Sequence, residues 1–398
     1  MSLPLQGVRI LDLTRLLPGS YCTLLLADLG ADVVKIEEPG RGDSIRLAPP
    51  LVDGQGAAHL ALNRGKRSVA VDLKLPDGAE VLGRLVEGAQ ALVESFRPGV
   101  MDRLGVGWEA VSRRNPKLVY CALTGYGQEG PYRDRVGHDI NYIGAAGILD
   151  ATGSPDGEPV LPAVQIADLS GGMAAALGMV AALWRAAGEG RGRFVDVSLL
   201  DVAASWSAMV WSWFLATGEV PARGGMPLTG SLACYRTYRC ADGRYITVGA
   251  LEARFWRVLC EALGVEDLID GHLDPTRQDE VAGRLEDTFG SRPREEWVER
   301  LAGLETCVGP VNDVAEAVVD PQIRARGMVV EVEGRAVGPG PAIRLGEGGP
   351  RPARTTARRA HRRGAARSRR VARAGGRSAT ARHRGGSCRW GPLGSGHG

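Results

Sequence analysis

Three short stretches of the sequence place ionisable side chains where they could move a proton. RVGHDINY carries His138 directly before Asp139, in a chain with six histidines. Asp168 lies in VQIADLSGG, before a helical run of small residues that would leave room for a ligand, and Glu252 lies in VGALEARFW. An imidazole and a carboxyl group whose pKa values approach the working pH are suited to general acid–base catalysis. These residues are therefore candidates for a proton-transfer site.

Each of these residues also has a structural interpretation. A histidine at the start of a helix is more often a hydrogen-bonding group of the fold, and Asp168 stands where an aspartate commonly caps a helix N-terminus. Glu252 in the first turn of a helix would interact favourably with the helix dipole. Considered one at a time, the three residues leave both interpretations open.

Positive charge concentrates in PGRGDSIR, in LNRGKRSVAVDLK and in ESFRPGV. These segments supply Arg41, Arg46, Arg64, Lys66, Arg67 and Arg97. Guanidinium and ammonium groups beside strands are suited to phosphate groups, although a solvated loop face is the better explanation of any single cluster. The clusters together favour a phosphorylated ligand.

The elements that would position these residues alternate between strand-like and helical patterns through residues 1–150. Apolar, β-rich runs such as GVRILDLT, ADVVKIEEPG, ALVESF and KLVYCALTGYG are separated by amphipathic segments such as PDGAEVLGRLVEGA. This order is typical of βαβ units with a parallel sheet. We therefore predict an α/β fold with a large domain at residues 1–220.

A second region begins at the glycine- and proline-rich connection PARGGMPLTG. The segment YRTYRCADGRYITVGAL predicts a β-hairpin with Asp242 and Gly243 at its turn, and amphipathic helices follow it. We predict a small α+β domain at residues 221–325 and a return of the chain to the large domain at 326–348.

Charge is unevenly distributed along the 398 residues. The 49 Lys and Arg nearly balance the 46 Asp and Glu, but residues 351–398 hold 14 Arg and no acidic residue. The rest of the chain is therefore acidic, which argues against nucleic acid as a partner. We predict that the Arg-rich tail, 349–398, is disordered, because it lacks a periodic apolar face. We hypothesise that it arose from a frameshift in GC-rich DNA, and the alternative is a basic arm for nucleic acid or an anionic membrane.

Several classes of site have no motif in this sequence. No GxGxxG opens a helix after the first strand, and GxxxxGK[ST], HExxH and GxSxG do not occur, which argues against NAD and ATP. The seven cysteines lack zinc-site spacing, so we predict no metal. Without a run of about 18 apolar residues or a signal-peptide pattern, we predict a cytoplasmic protein that does not span a membrane.

The motifs in their order resemble CoA-transferase family III, the CaiB/BaiF group, which includes the α-methylacyl-CoA racemases. The resemblance runs from about residue 5 to residue 345 and rests on GVRILDLTRLLPGSYCTLLLADLGADVVKIEEPGRGD, LNRGKRSVAVDLK, ESFRPGV, LVYCALTGYGQEGP, GHDINY, ADLSGG and DGRYITVGALE. It implies a Rossmann-like large domain that binds CoA, a small α+β domain and an interlocked homodimer. CoA is then part of an acyl-CoA substrate, and no separate cofactor is expected.

The resemblance also implies roles for single residues. The residues that match His138 and Asp168 exchange the α-proton in the racemases, with support from the acid that matches Glu252. In the transferases the aspartate that matches Asp168 attacks the thioester. Because GHDINY contains the racemase-type histidine, we predict a 2-methylacyl-CoA racemase or epimerase. The alternatives are a CoA-transferase with Asp168 as nucleophile and a CoA-binding protein without catalysis.

The same resemblance assigns a set of residues to CoA, with the pantetheine arm beside the GHDINY motif and the phosphates at the positively charged loops. The residues predicted to bind CoA are Arg46, Arg64, Lys66, Arg97, Gly137, Asp139 and Tyr142. Racemases of the family often have an arginine for the nucleotide where this chain has Glu38 in IEEP.

Overall fold

The structure is a computed structural model that describes residues 3–332 and 335–344. Its strands are β1 Arg9–Leu13, β2 Asp32–Glu37, β3 Leu51–Val52, β4 Gln55–Gly56, β5 Arg67–Ala70, β6 Ala91–Glu94, β7 Val119–Thr124, β8 Phe194–Ser198, β9 Tyr235–Arg239, β10 Tyr245–Gly249, β11 Val308–Pro310, β12 Val329–Val332 and β13 Arg335–Pro339. The predictions made for the tail, disorder and a frameshift, lie outside the described residues.

The helices connect these strands. They are α1 Leu16–Asp28, α2 Ala57–Leu62, α3 Pro76–Glu87, α4 Val100–Arg103, α5 Trp108–Arg114, α6 Asp139–Ala145, α7 Ile148–Ala151, α8 Ile166–Glu189, α9 Leu199–Trp206, α10 Ala208–Thr217, α11 Ala253–Leu263, α12 Gln278–Gly290, α13 Arg294–Leu301, α14 Val314–Ala317 and α15 Pro321–Ala325. Short 3-10 helices lie at Ser44–Leu47, Pro227–Thr229 and Glu266–Gly271.

The large sheet has six parallel strands in the order β5-β2-β1-β6-β7-β8. Numbered by appearance in the chain, this is 3-2-1-4-5-6, the order of a Rossmann-like, doubly wound sheet. β1 and β6 pair in the middle, with Leu11 opposite Leu92, and the chain proceeds outward from them in both directions. The predicted α/β fold with a large parallel sheet is confirmed, and the carboxyl ends of β1 and β6 mark its topological switch point.

Helices cover both faces of the sheet at its centre, which explains why the fully buried strands β6 and β7 are almost continuously apolar. Alternate residues of β1 enter different cores: Ile10 packs with residues of α1 and α8, whereas Leu11 packs with residues of α3 and α5. Both side chains are fully buried. This alternation is the two-residue period of a strand.

The small residues of α8 admit neighbouring helices. A Cβ on Gly172 would lie 2.5 Å from the Pro18 carbonyl oxygen in α1, and a Cβ on Gly171 would lie 2.2 Å from the Leu199 side chain in α9. The expectation that these glycines leave room for a ligand beside Asp168 is therefore wrong: their space is filled by the fold.

By length and apolar composition, α8 could cross a membrane, and the bent pair α9 and α10 passes the same criterion. Core packing accounts for part of the apolar character of α8, whereas Leu177 and Trp184 of this helix are exposed. Its residues Ala175, Ala176 and Met179 are buried in the same core as Leu26 of α1 and Cys121 of β7. Such packing holds the start of α8 in place relative to the large sheet.

Replacing Gly172 with Ala is expected to lower the free energy of unfolding by about 1–3 kcal/mol, the cost of overpacking a core. The matched control is Gly188→Ala in the same helix, where an added Cβ meets nothing within 4 Å. Ala favours a helix over Gly by up to about 1 kcal/mol, so the control should be neutral or stabilising. Urea unfolding curves measure both effects, and an unchanged midpoint for Gly172→Ala would contradict this account of the packing.

The second sheet is antiparallel, in the order β11-β10-β9, and together with α11, α12 and α13 it forms a small lobe. β9 and β10 form the predicted hairpin, with Arg239 opposite Tyr245 and Gly243 at φ 78° in the turn. Trp256, Phe289 and Trp297 form the centre of a separate core.

The chain then approaches the large sheet again. β12 and β13 pair as an antiparallel hairpin, and β13 contacts α2. Arg64 donates a hydrogen bond to the Pro339 carbonyl at 3.5 Å. The proposed boundaries at 220, 325 and 348 remain predictions.

Candidate active site

His138, Asp139 and Asp168 meet where two helices begin. His138 is the N-cap residue of α6, Asp139 is the first residue of that helix, and Asp168 lies in the first turn of α8. Asp139 Oδ1 accepts a hydrogen bond from the Asp168 backbone N–H at 3.0 Å. His138 lies near enough to act electrostatically on the Asp168 carboxyl group. Two of the three predicted catalytic residues are thus brought together.

The backbone around His138 is fixed from two sides. The His138 N–H donates to Asn141 Oδ1 at 3.0 Å, and the Tyr142 hydroxyl donates to the Gly137 carbonyl at 2.7 Å. Tyr142 is only 5% exposed and packs edge-on against Tyr126 at a centroid distance of 5.2 Å. The His138 side chain itself is exposed. A rigid backbone therefore presents an accessible imidazole.

The environment of Asp168 favours its protonated form. Burial raises the pKa of this half-buried carboxyl group, the negative charge of Asp139 raises it further, and His138 opposes both effects. The resulting pKa is about 6, compared with 3.8 for an ordinary aspartate. A carboxyl group with this pKa can both donate and accept a proton near neutral pH.

The structural interpretation of Asp168 as the helix cap is wrong, because Gln165 is the N-cap residue of α8. Glu252 occupies the N-cap position of α11 in the small lobe, where its side chain is exposed and makes no capping hydrogen bond. Among residues 3–332 and 335–344, no hydrogen bond or ion pair joins Glu252 to His138. One chain alone therefore does not bring Glu252 to the His138–Asp168 pair through direct bonds.

A cavity of about 410 Å³ opens at the carboxyl ends of β1, β2, β5 and β6. This is the switch-point edge at which open α/β sheets bind ligands. It is lined by Leu13, Thr14, Arg15, Ile36, Glu37, Glu38, Arg41, Gly42, Asp43, Val71, Asp72, Leu73, Lys74, Phe96, Val100 and Leu104.

The cavity carries three exposed cations, Arg15, Arg41 and Lys74. Glu38 offsets part of this charge, since its carboxylate lies 3.0 Å from the Lys74 ammonium group and 4.0 Å from the Arg15 guanidinium group. Because these cations are exposed, they can exchange their interaction with Glu38 for hydrogen bonds to an incoming anion. The cavity is a candidate site for a phosphorylated ligand.

Comparison with known proteins identifies the family. The family described as CoA-transferase family III matches residues 5–365. The chain belongs to CoA-transferase family III. It is 36% identical over 342 residues to the human alpha-methylacyl-CoA racemase, covering 85% of each chain. It is also 34% identical over 352 residues to the human succinyl-CoA:glutarate CoA-transferase, covering 86% of this chain and 80% of the relative.

A solved structure supports the same conclusion. The crystal structure of a CAIB/BAIF family protein from Brucella suis matches with a TM-score of 0.79 and 32% sequence identity, covering 88% of this chain and 95% of that chain. The chain is thus an enzyme of the family III CoA-transferase and racemase type. Because its relatives include a racemase and a transferase at similar identity, the choice between the two activities depends on the site.

Two of the cations predicted to bind phosphates in this family III protein have internal partners. Arg46 donates to Glu37 at 2.7 Å, and Arg64 forms a two-bond ion pair with Asp28 at 2.6 and 2.7 Å. Arg64 is also only 6% exposed. Their role as phosphate ligands stays a prediction, and the geometry favours a structural role.

Lys66 and Arg97, the other two cations predicted to bind phosphates, differ in burial. The Lys66 side chain is 2% exposed, and its ammonium group donates to the Thr23 hydroxyl at 2.7 Å and lies 3.4 Å from Asp12. Arg97 is exposed in the loop that follows β6 at the switch point. Of the predicted phosphate ligands, Arg97 is therefore the one that is best placed to meet a ligand at this edge of the sheet.

The sequence contained a signal for Arg15 and Lys74, which were not among the cations predicted to meet a phosphorylated ligand, as well as for Arg41. Arg15, Arg41 and Lys74 each follow a parallel strand by two to four residues, and residues directly after such strands gather at one edge of the sheet. Density of positive charge was a weaker guide than position after a strand. Within the described part of the chain, no group of three or more His, Cys, Asp or Glu side chains could hold a metal ion.

Proposed function

We propose that this protein is an acyl-CoA racemase or epimerase that inverts the α-carbon of 2-methylacyl-CoA thioesters. One of His138 and Asp168 removes the α-proton, and the C–H bonding electrons enter an enolate conjugated with the thioester. The other group delivers a proton to the opposite face of the same carbon. The observation that supports this proposal is the meeting of His138 with an Asp168 whose pKa is about 6.

The developing enolate oxygen needs hydrogen-bond donors. The first turn of α8 offers the backbone N–H group of the partly exposed Ile166, for which no acceptor is present among the described residues. This group lies at the positive end of a 24-residue helix. We infer that it stabilises the negative charge that builds up on the thioester oxygen.

A CoA-transferase is the second candidate, and it is favoured by the transferases among the relatives. In this reaction the Asp168 carboxylate would attack the thioester carbonyl and expel the CoA thiolate, which leaves an acyl anhydride. The thiolate would then attack the Asp168 carbonyl, releasing the first acid and forming an aspartyl-CoA thioester. A second carboxylic acid would take over CoA by the reverse steps.

Chiral analysis separates these candidates. With a single enantiomer of a 2-methylacyl-CoA and no second carboxylic acid, we expect conversion to a mixture of both enantiomers. Acyl-CoA that keeps its configuration until a second acid is added, and then transfers CoA to that acid, would show that the transferase interpretation is correct.

We further propose that the phosphates of CoA bind in the switch-point cavity, to Arg15, Arg41 and Lys74, with Arg97 at the following loop. No other ligand is required as a cofactor, because the proposed chemistry needs only proton transfer within the acyl-CoA. We also propose a cytoplasmic location, since the described cysteines are free, as is usual in a reducing compartment.

Replacing Glu38 with Gln is expected to tighten CoA binding about two- to fivefold, the effect of one exposed ion pair. The substitution removes the carboxylate that competes with phosphate for Lys74 and Arg15. Isothermal titration calorimetry measures the dissociation constant, and Glu109→Gln provides a matched control on a distant helix. Unchanged or weaker binding in Glu38→Gln would contradict the placement of the phosphates.

Exposed apolar side chains support the proposal of a homodimer. Leu177 and Trp184 on α8 and Leu215 on α10 are 71%, 81% and 76% exposed, and several large apolar side chains left exposed in one copy favour an interface. We propose that a second copy covers this surface and interlocks with the first, so that Glu252 of one copy approaches His138 of the other. Sedimentation equilibrium tests this, and a monomer at micromolar concentration would overturn it.

A further inference from the structure

Asp139 is joined to Asp168 in two independent ways. Its Oδ1 atom accepts the hydrogen bond from the Asp168 backbone N–H at 3.0 Å, which ties the first turn of α8 to the first residue of α6. Its negative charge also acts on the Asp168 side chain. The family resemblance assigned Asp139 to the CoA side of the site, whereas its observed hydrogen bond is made to the protein.

We propose that Asp139 is a positioning residue for Asp168: it fixes the start of α8, and its negative charge favours the protonated form of the Asp168 carboxyl group. This inference rests on the proposed function, in which Asp168 exchanges a proton. Asp139 does not touch the reacting carbon and acts only through Asp168.

The charged neighbours of Asp168 act on its pKa in opposite directions. The titratable groups that act on its carboxyl group are Asp139, which raises its pKa, and His138, which lowers it. Tyr142 also lies close, and burial together with its acidic neighbours raises the pKa of its phenol to about 12, so it stays neutral. Protonation of His138 therefore favours the Asp168 carboxylate, while a neutral His138 leaves Asp139 to favour the protonated acid.

Tyr142 provides the second anchor of this arrangement. Its hydroxyl group holds the Gly137 carbonyl at 2.7 Å, and a Cβ on Gly137 would lie 2.9 Å from both the Tyr126 hydroxyl and the Tyr142 ring. The segment that carries His138 and Asp139 is thus closely packed. Asp139 is held in place by this packing and in turn holds Asp168.

The test uses Asp139→Asn, which keeps a side-chain oxygen for the Asp168 N–H and removes the charge. We expect the titration midpoint of Asp168 to fall by about one pH unit. Asp134→Asn is the matched control, because Asp134 is an exposed acid on the same segment that pairs with Arg133. The readout is a 13C NMR titration of Asp-labelled full-length protein, with the Asp168 signal assigned by its loss in Asp168→Asn.

Activity gives the second readout. In the direction in which Asp168 donates the proton, the rate falls as pH rises through its pKa, so this fall should occur at lower pH in Asp139→Asn. Asp139→Ala should additionally lower kcat, because the hydrogen bond to α8 is lost. An unchanged midpoint in Asp139→Asn, or an equal shift in Asp134→Asn, would overturn the inference. A shifted midpoint in a protein without racemase activity would instead refute the proposed function.

Discussion

Replacing Asp168 with Ala is expected to abolish inversion of the α-carbon together with any transfer of CoA, whereas replacing His138 with Ala should abolish inversion and leave any transfer of CoA unchanged. A positioned general acid or base contributes about 10²- to 10⁴-fold to a rate, so each loss of inversion should be at least of that order. Asp168 is required in both mechanisms, as an acid or base in one and as a nucleophile in the other. His138 has a proton to exchange only in the racemase mechanism.

The measurement is kcat/KM for inversion of a 2-methylacyl-CoA, together with CoA transfer to a second carboxylic acid. Asp134→Asn serves as the control, since this side chain is 77% exposed and pairs only with Arg133 among the described residues. If His138→Ala inverts the substrate at the rate of the parent protein, the acid–base pair is wrong.

Replacing Asp12 with Ala is expected to lower the free energy of unfolding by about 3–5 kcal/mol, the usual cost of leaving a buried charge without its partner. Asp12 is fully buried between two lysines, with its Oδ2 atom 3.4 Å from the Lys66 ammonium group and 3.7 Å from that of Lys35. It also accepts hydrogen bonds from the Thr14 and Thr23 hydroxyl groups. Thr14 lines the cavity, so this hydrogen-bond network holds part of the wall of the proposed CoA site in place.

The defect in Asp12→Ala should depend on pH. Burial lowers the pKa of Lys66 from 10.5 to about 8 even with Asp12 present, and loss of Asp12 lowers it further. The folded variant can therefore avoid the buried charge by releasing a proton, which becomes easier as pH rises. The deficit should shrink between pH 7 and pH 9.

Urea unfolding at the two pH values measures this effect. The matched control is Asp32→Ala, a partly exposed aspartate that pairs with Arg9 and Arg67, for which we expect a loss below about 1 kcal/mol. Equal losses in Asp12→Ala and Asp32→Ala would contradict the central position of Asp12 in the buried network.

The large sheet could be predicted from the sequence because burial on both faces produces a local signal. Runs such as those of β6 and β7 are apolar at successive positions, and the amphipathic pattern of α3 lies between strands. The hairpin of β9 and β10 could also be predicted from the sequence, since Asp242 and Gly243 mark its turn. These features depend on neighbouring residues only.

The phosphate site could not be predicted in the same way, because it depends on which cations are already paired. The partner of Arg64 is Asp28, 36 positions earlier, and the carboxylate nearest Lys66 is Asp12, 54 positions earlier. Nothing in the local sequence distinguishes these internal ion pairs from free loop cations. Arg41, by contrast, remains exposed at the cavity although it stands in the same segment as Arg46.

The pairing of His138 with Asp168 was predicted through the family resemblance, and its physical basis required coordinates. The hydrogen bond from Asp168 to Asp139 spans 29 positions and joins the starts of two helices. For the glycines after Asp168 the prediction was wrong, since Gly172 makes room for Pro18 of α1 and not for a ligand. Amino-acid composition alone does not distinguish a glycine that makes room for a ligand from one that makes room for a neighbouring helix.

Deuterium incorporation tests the central claim most directly. The enzyme is incubated in D2O with one enantiomer of a 2-methylacyl-CoA and without any second carboxylic acid, and the α-position is followed by NMR together with chiral analysis. We predict that deuterium enters the α-carbon as the configuration is inverted, and that His138→Ala and Asp168→Ala do neither. An α-carbon that keeps its proton, in a protein that transfers CoA as soon as a second acid is supplied, would contradict the account.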